Sequence, residues 1–320
     1  MKPKKIKKTK KRKKRFSIFK SIKFLLLLIV GAAIYTVGLS AYENIKVNQE
    51  INAFKARAIF VEEVEFTQNN SDIQVRRYYE VPRETSYELE DTRTVFTNSS
   101  TKTFLGQKGD IFVTQQSPFP DVLGFHQFMS FYYGGHAAIH DGNGRFLEAT
   151  GFPDPDESVW DIIKYPGDQP HDFSVSVSRS QTNYWLRKGY RQKSDPLYEY
   201  YGPHYRTEFI GLRYKHVTEE MIDGVVDYAS DVVERKALYN FLFFLDTKYK
   251  FYCTDLVSRA YQNVVLGLEA GEEEPYYAKS LNDDGFITSV NDIVLSKETY
   301  MHFYVEIIDE VVHIYYLADL

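Results

Sequence analysis

Phe251-Tyr252-Cys253-Thr254-Asp255-Leu256-Val257-Ser258-Arg259-Ala260-Tyr261 holds the only cysteine of this 320-residue chain. Leu256, Val257, Ala260, Tyr261 and Val264 recur at helical intervals after it, so the segment from about 253 to 266 predicts an amphipathic helix opened by the thiol. At a helix N-terminus the macrodipole and the free backbone N–H groups favour thiolate. The Cys253 N–H itself would face a developing oxyanion. Upstream lies Gly134-Gly135-His136-Ala137-Ala138-Ile139-His140-Asp141-Gly142-Asn143-Gly144-Arg145-Phe146-Leu147-Glu148. Asp-Gly-Asn-Gly between two apolar runs reads as a hairpin of His136–His140 with Arg145–Ala149. One thiol, with a distant histidine and carboxylate, is the minimum equipment for thiolate acyl transfer.

His136 follows two glycines, which allow close backbone approach, and it is the candidate base for Cys253. Glu148 is the candidate orienter of that imidazole. Facing His136 directly needs an odd loop, Asp141-Gly142-Asn143 with a bulge at Gly144; an even loop turns Glu148 to the other face. His140 shares the strand face of His136 but lies roughly 13 Å away, too far to share a metal. With no His-Glu-x-x-His present, neither a metal nor a cofactor is expected. His140 reads as a structural or cleft-rim residue and Tyr252 as lining the cleft or donating to the oxyanion, which makes both candidate substrate contacts, while Asp255 reads as a first-turn acid supporting the helix.

Charge is uneven. The first 23 residues carry 13 of the 39 Lys/Arg and no acid, which leaves 26 basic against 44 acidic residues, a formal charge of −18 on the remainder. Phe24–Tyr42 then runs 19 residues without a charge. At about 1.5 Å per residue it spans roughly 28 Å, near the thickness of a bilayer core. The basic side belongs in the cytoplasm, so residues from Glu43 onward are expected outside it. A cleaved signal peptide and a buried soluble helix remain the alternatives for this stretch. The basic tail reads as a topogenic signal touching anionic lipid. It lacks interleaved aromatics, and the rest of the chain is acidic, so no nucleic-acid partner is expected. One cysteine permits no intramolecular disulfide.

The expected organisation is a basic tail (1–23), an anchor (24–42), a juxtamembrane stalk and extension (43–104) and a catalytic domain (105–320) with an insertion at about 151–205. Gly109-Asp110 opens a strand at Ile111-Phe112-Val113, and Phe125, Phe128, Met129 and Tyr132 share one side of a short helix. Phe209–Tyr214 reads as a strand, and Thr218 caps a helix with its stripe at Ile222, Val225, Val226, Ala229 and Val232. Two closing strands flank Asp309-Glu310. The fold class is α+β, with helices packed on an antiparallel sheet or partial barrel.

Gly109-Asp110-Ile111, the Gly-His136-x-x-Ile139 hairpin, Phe146-Leu147-Glu148-Ala149 and Tyr252-Cys253-Thr254-Asp255-Leu256-Val257 together resemble the permuted papain-like, NlpC-related cysteine hydrolases of the YiiX-like group. In that family the histidine strand precedes the cysteine helix, the reverse of papain, and a polar residue about a dozen positions after the histidine completes a triad. The resemblance covers roughly 105–265. Thr254-Asp255 departs from the Ser-Glu pair frequent in the family, and the long insertion blocks any transfer of specificity. It implies a circularly permuted papain-like domain after a transmembrane helix. It also implies a membrane-anchored, extracytoplasmic hydrolase of amide bonds in cell-wall peptide or lipid-linked substrates, working through Cys253, His136 and Glu148. A lipid acyltransferase or esterase with the same triad, or a non-catalytic envelope binding protein, are the other expectations.

Overall fold

The computed structural model describes residues 18–68, 72–122, 124–243, 249–265, 281 and 287–320. Helix α1 (Ile18–Ala56) begins in an N-terminal unit that ends at Tyr42. There its large apolar side chains lie open, Leu27 at 66% and Ile34 at 69% exposure, surface that only lipid or a partner would cover. The helix is long and apolar enough to cross a membrane.

The second unit, Glu43–Leu320, begins with the last turns of α1, where Val47, Ile51 and Phe54 recur on one face and are buried. Then follow β1 (Ile59–Gln68), β2 (Asp72–Val81), α2 (Ser86–Glu90), β3 (Ile111–Thr114), α3 (Phe125–Tyr132), β4 (His136–His140) and β5 (Phe146–Ala149). Next come α4 (Val159–Lys164), β6 (Val177–Arg179), α5 (Tyr198–Tyr201), β7 (Glu208–Tyr214) and α6 (Glu219–Glu234). The chain closes with β8 (Leu238–Tyr239), β9 (Lys250–Phe251), α7 (Cys253–Val265), α8 (Val290–Leu295), β10 (Thr299–Ile308) and β11 (Val311–Leu317).

Nine strands form one sheet in the order β1-β2-β11-β10-β7-β3-β4-β5-β6, and α6 and α7 pack together against its β4–β6 side. The class is α+β. The sheet is not the antiparallel one expected, because β11 runs parallel to β2, with Ile314 beside Tyr78. Residues 43–104 belong to the same folded unit as the rest and form no separate segment: β1 and β2 build one end of the sheet, and Val95 and Phe96 sit in the shared core. Local patterning shows that those residues form strands, but their partner lies more than 230 residues away in sequence, which no local pattern encodes.

A buried charge network ties this segment to the centre of the sheet. Arg213 on β7 donates from Nε and Nη2 to Asp110 (2.8 and 3.2 Å), from Nη1 to Asp91 (3.2 Å) and the Arg93 carbonyl (2.9 Å), and from Nη2 to the Thr94 carbonyl (2.8 Å). All five guanidinium N–H groups are thereby used, which makes so buried a cation tolerable. Burial alone would raise the Asp110 carboxyl; Arg213 leads the contacts that instead hold it below its ordinary value.

Candidate active site

Close packing fixes the strand that carries His136. A Cβ on Gly135 would lie 1.9 Å from the Gln116 carbonyl oxygen, and one on Gly134, at φ +80°, would lie 2.5 Å from Val290. Only glycine fits either position, so the backbone enters β4 hard against its neighbours. Beyond the strand, Asp141 N–H donates to Arg145 O (2.9 Å) around a three-residue loop, Gly142-Asn143-Gly144. The loop is odd, as needed, but it sits one residue later than expected. His140 therefore pairs Phe146 and Ile139 pairs Leu147, a register that sets Glu148 opposite Ala138, diagonal to His136. A diagonal neighbour on the same sheet face is still within reach of a long side chain. The His136 Nε2–H donates to Glu148 Oε2 at 2.7 Å.

Nε2 is thus committed, and Nδ1 is the ring nitrogen left for the sulfur. The Cys253 thiol lies beside that imidazole, in the same cavity. Burial pushes His136 toward the neutral form, but Tyr205, the Cys253 thiol and the Glu148 carboxylate act against it. The imidazole pKa ends well above the ordinary histidine value. Helix α7 starts at Cys253 itself, with Leu256 N–H donating to Tyr252 O at 2.9 Å. The residues flanking the cysteine are clamped by one segment: Thr288 N–H donates to Tyr252 Oη (2.9 Å), and Thr254 Oγ1 donates to Thr288 O. Asp255 is buried 3.6 Å from Arg259 one turn on, a partner within its own helix and away from the imidazole.

Cys253, His136, Glu148 and Tyr252 all line a cavity of about 800 Å³. His140 does not. It is fully buried, stacked on Phe112 at 6.1 Å, and its Nδ1 accepts from Gly142 N–H at 3.1 Å. Strand alternation gives the two histidines a common face, but the cavity reaches only the 136 end. Of its two expected places His140 takes the structural one, in the core, and the expectation of a substrate contact is corrected. Among the described residues, no group of three His, Cys, Asp or Glu side chains is arranged to hold a metal.

Which residues of the insertion reach the site was not legible in the sequence. Tyr184 Oη donates to the same Glu148 oxygen that accepts from His136. Burial, then Glu148 and Tyr205, push the Tyr184 pKa well above its ordinary value, which keeps it a donor. Trp185 stacks on the His136 ring (6.0 Å, 19°) and Tyr205 meets it edge-on (6.2 Å). The available signal was the aromatic density of Tyr184-Trp185 and Tyr205 inside a stretch otherwise rich in turn residues. Phe119, Phe125, Phe128, Met129 and Phe152 line another part of the cavity, and Phe125, Phe128 and Phe152 are 43%, 45% and 58% exposed, giving it an apolar rim. Compared with models of known families, with curated proteins and with solved structures, the chain matches none of them.

Proposed function

We propose that this chain is a cysteine hydrolase, anchored by α1 with its folded unit outside the cytoplasmic membrane, which cleaves amide bonds in cell-wall peptide or lipid-linked substrates. The single observation that carries the reading is the meeting of Cys253, His136 and Glu148 in one cavity, with the His136 Nε2 bonded to Glu148. The order of the histidine hairpin and the cysteine helix supports a permuted papain-like reading of the β3–α7 region, to which β1, β2, β10 and β11 add the rest of the sheet.

The Cys253 thiolate attacks the carbonyl carbon, and the free N–H at the start of α7 faces the resulting oxyanion. Protonated His136 gives its proton to the leaving amine as the C–N bond breaks, leaving an S-acyl thioester. Water then attacks the thioester while His136 takes its proton. The carboxylic acid departs and the thiol is restored. Glu148, itself held by Tyr184, fixes the ring and favours its charged form.

Labelling with a thiol-directed acyl probe tests this reading. Wild type labels at Cys253, His136→Ala labels far more slowly, and Cys253→Ala loses turnover while keeping its fold. Equal labelling of wild type and His136→Ala removes His136 from the mechanism. The phenylalanine-lined side of the cavity favours a second reading, an esterase or acyltransferase acting on lipid. An acyl-thioester that accumulates from lipid and not from peptide selects it.

A further inference from the structure

Two arginines, one in the insertion and one directly after it, also line the cavity. Arg191 and Arg206 are only 5% and 2% exposed. Arg191 Nη1 donates to the carbonyls of His204 and Tyr205, and its nearest carboxylate, Asp195, stands 3.9 Å from Nε. Arg206 donates from Nε to Gln116 O (3.0 Å) and from Nη1 to Tyr205 O (2.7 Å), and among the described residues no carboxylate pairs with it. The other Nη of each makes no bond to a described residue and is not sealed from solvent. Both guanidinium groups lie against Tyr201, at 5.3 and 4.8 Å from its ring centre. The surroundings add positive charge. Arg76 is 1% exposed with no carboxylate partner among the described residues, and burial followed by Lys188, Arg76 and Arg191 lowers His204 to about 4.

Buried cations are costly unless an anion meets them, and fork-shaped donors suit carboxylate or phosphate oxygens. We propose that Arg191 and Arg206 bind an oxyanion of the ligand, a carboxylate or a phosphate ester, so that the cavity takes anionic acyl compounds with their apolar part along the phenylalanine side. Tyr205 links this anion site to the dyad: its ring lies 4.4 Å from the Arg206 guanidinium carbon and 6.2 Å from the His136 ring. The anion site and the dyad thus share one cavity, with Tyr205 between them. The proposal rests on the hydrolase reading for that carbonyl, but its test reads binding alone.

The full chain carrying Cys253→Ala, in nanodiscs, is titrated calorimetrically with hippurate, hippuramide and benzyl phosphate. Hippurate is expected to bind about 10-fold tighter than its uncharged amide at low salt, with the ratio shrinking at about 0.5 M salt. Arg191→Gln and Arg206→Gln each bring the ratio to about 2-fold or less. Should Arg206→Gln fail to fold, because it also holds the Gln116 carbonyl, Arg191→Gln and the salt series decide. Tighter binding of benzyl phosphate than of hippurate assigns a phosphate source, and the reverse assigns a carboxylate. Equal affinity for hippurate and hippuramide, or no binding of either anion, overturns the proposal. In a separate measurement, a native Cys253 inert to iodoacetamide sinks the hydrolase reading and leaves the anion site standing.

Discussion

Replacing Glu148 by glutamine keeps the shape of the side chain and removes its charge. The His136–Glu148 contact is a buried 2.7 Å hydrogen bond between an imidazole and a carboxylate. Such a charge-assisted bond is worth about 1.5–3 kcal/mol against about 0.5–1.5 for a neutral one, so the charge contributes about 1–2 kcal/mol. The sign follows from what the carboxylate stabilises. Negative Glu148 favours imidazolium, and imidazolium favours the thiolate beside it, so its loss depopulates the ion pair. At 1.36 kcal/mol per unit, the imidazole gives up its proton about one unit lower in pH, so the ion pair is depopulated across the neutral range. The assay is mass-resolved alkylation by iodoacetamide as a function of pH, which reads one site because Cys253 is the only cysteine. At neutral pH, Glu148→Gln should alkylate about 5- to 30-fold more slowly than wild type, with an unchanged plateau at high pH. A thermal unfolding midpoint within a few degrees of wild type separates this from misfolding. An unchanged pH profile in the folded variant refutes the role given to Glu148.

Tyr184→Phe removes the second donor to Glu148 and frees that carboxylate to rotate; alkylation at neutral pH should slow by about 3- to 10-fold, and an unaltered rate would deny Tyr184 a positioning role. Gly135→Ala should destabilise the fold by at least about 2 kcal/mol in denaturant titration, since its methyl group would sit 1.9 Å from the Gln116 backbone oxygen, which Arg206 holds in place. Arg213→Met leaves Asp110 buried without its main partner and should cost about 3–5 kcal/mol by the same measurement; a loss under 1 kcal/mol would mean that the network is dispensable. Burial raises Glu88, but Arg57 and the N–H groups of Glu84 and Thr85 more than offset it and hold the carboxyl at about 2, against an ordinary 4.5. Its contribution to stability is complete above the ordinary value and lost as pH falls toward about 2, so Glu88→Gln should flatten the acid side of the stability curve; an identical curve in the variant contradicts this.

What was legible in the sequence was periodic and local. The stripes of α6 and α7, the turn chemistry between β4 and β5 and the Asp309-Glu310 turn all follow from short-range patterns. In that last turn both residues take positive φ, 49° and 65°, as a tight hairpin demands. The meeting of His136 with Glu148 depended on loop parity alone, and parity survives a shift of the loop by one residue. The parallel pairing of β2 with β11 was not legible, nor was the burial of Arg76 and Arg213. Arginine in a short strand looks like a solvated position, and only the tertiary arrangement of Asp91, Asp110 and nearby carbonyls makes the inside acceptable for Arg213.

The insertion at 151–205 then takes a different meaning from that of a loop region decorating a finished domain. A thiol and an imidazole on adjacent elements form a reactive pair only when the charge on the ring is stabilised and water is kept from competing for it. The sheet and α7 supply Cys253, His136 and Glu148, but the second bond to Glu148, the face stacked on the imidazole and Arg191 in the cavity wall all come from Tyr184 to Arg191 of the insertion. β6 joins the insertion to the sheet beside Glu148 itself, with Ser178 as its cross-strand partner, so the wall is registered to the carboxylate it holds. Shortening the insertion would therefore not merely widen the cleft. It would release Glu148 and unstack His136 together, and the pair would lose charge stabilisation before it lost any substrate contact.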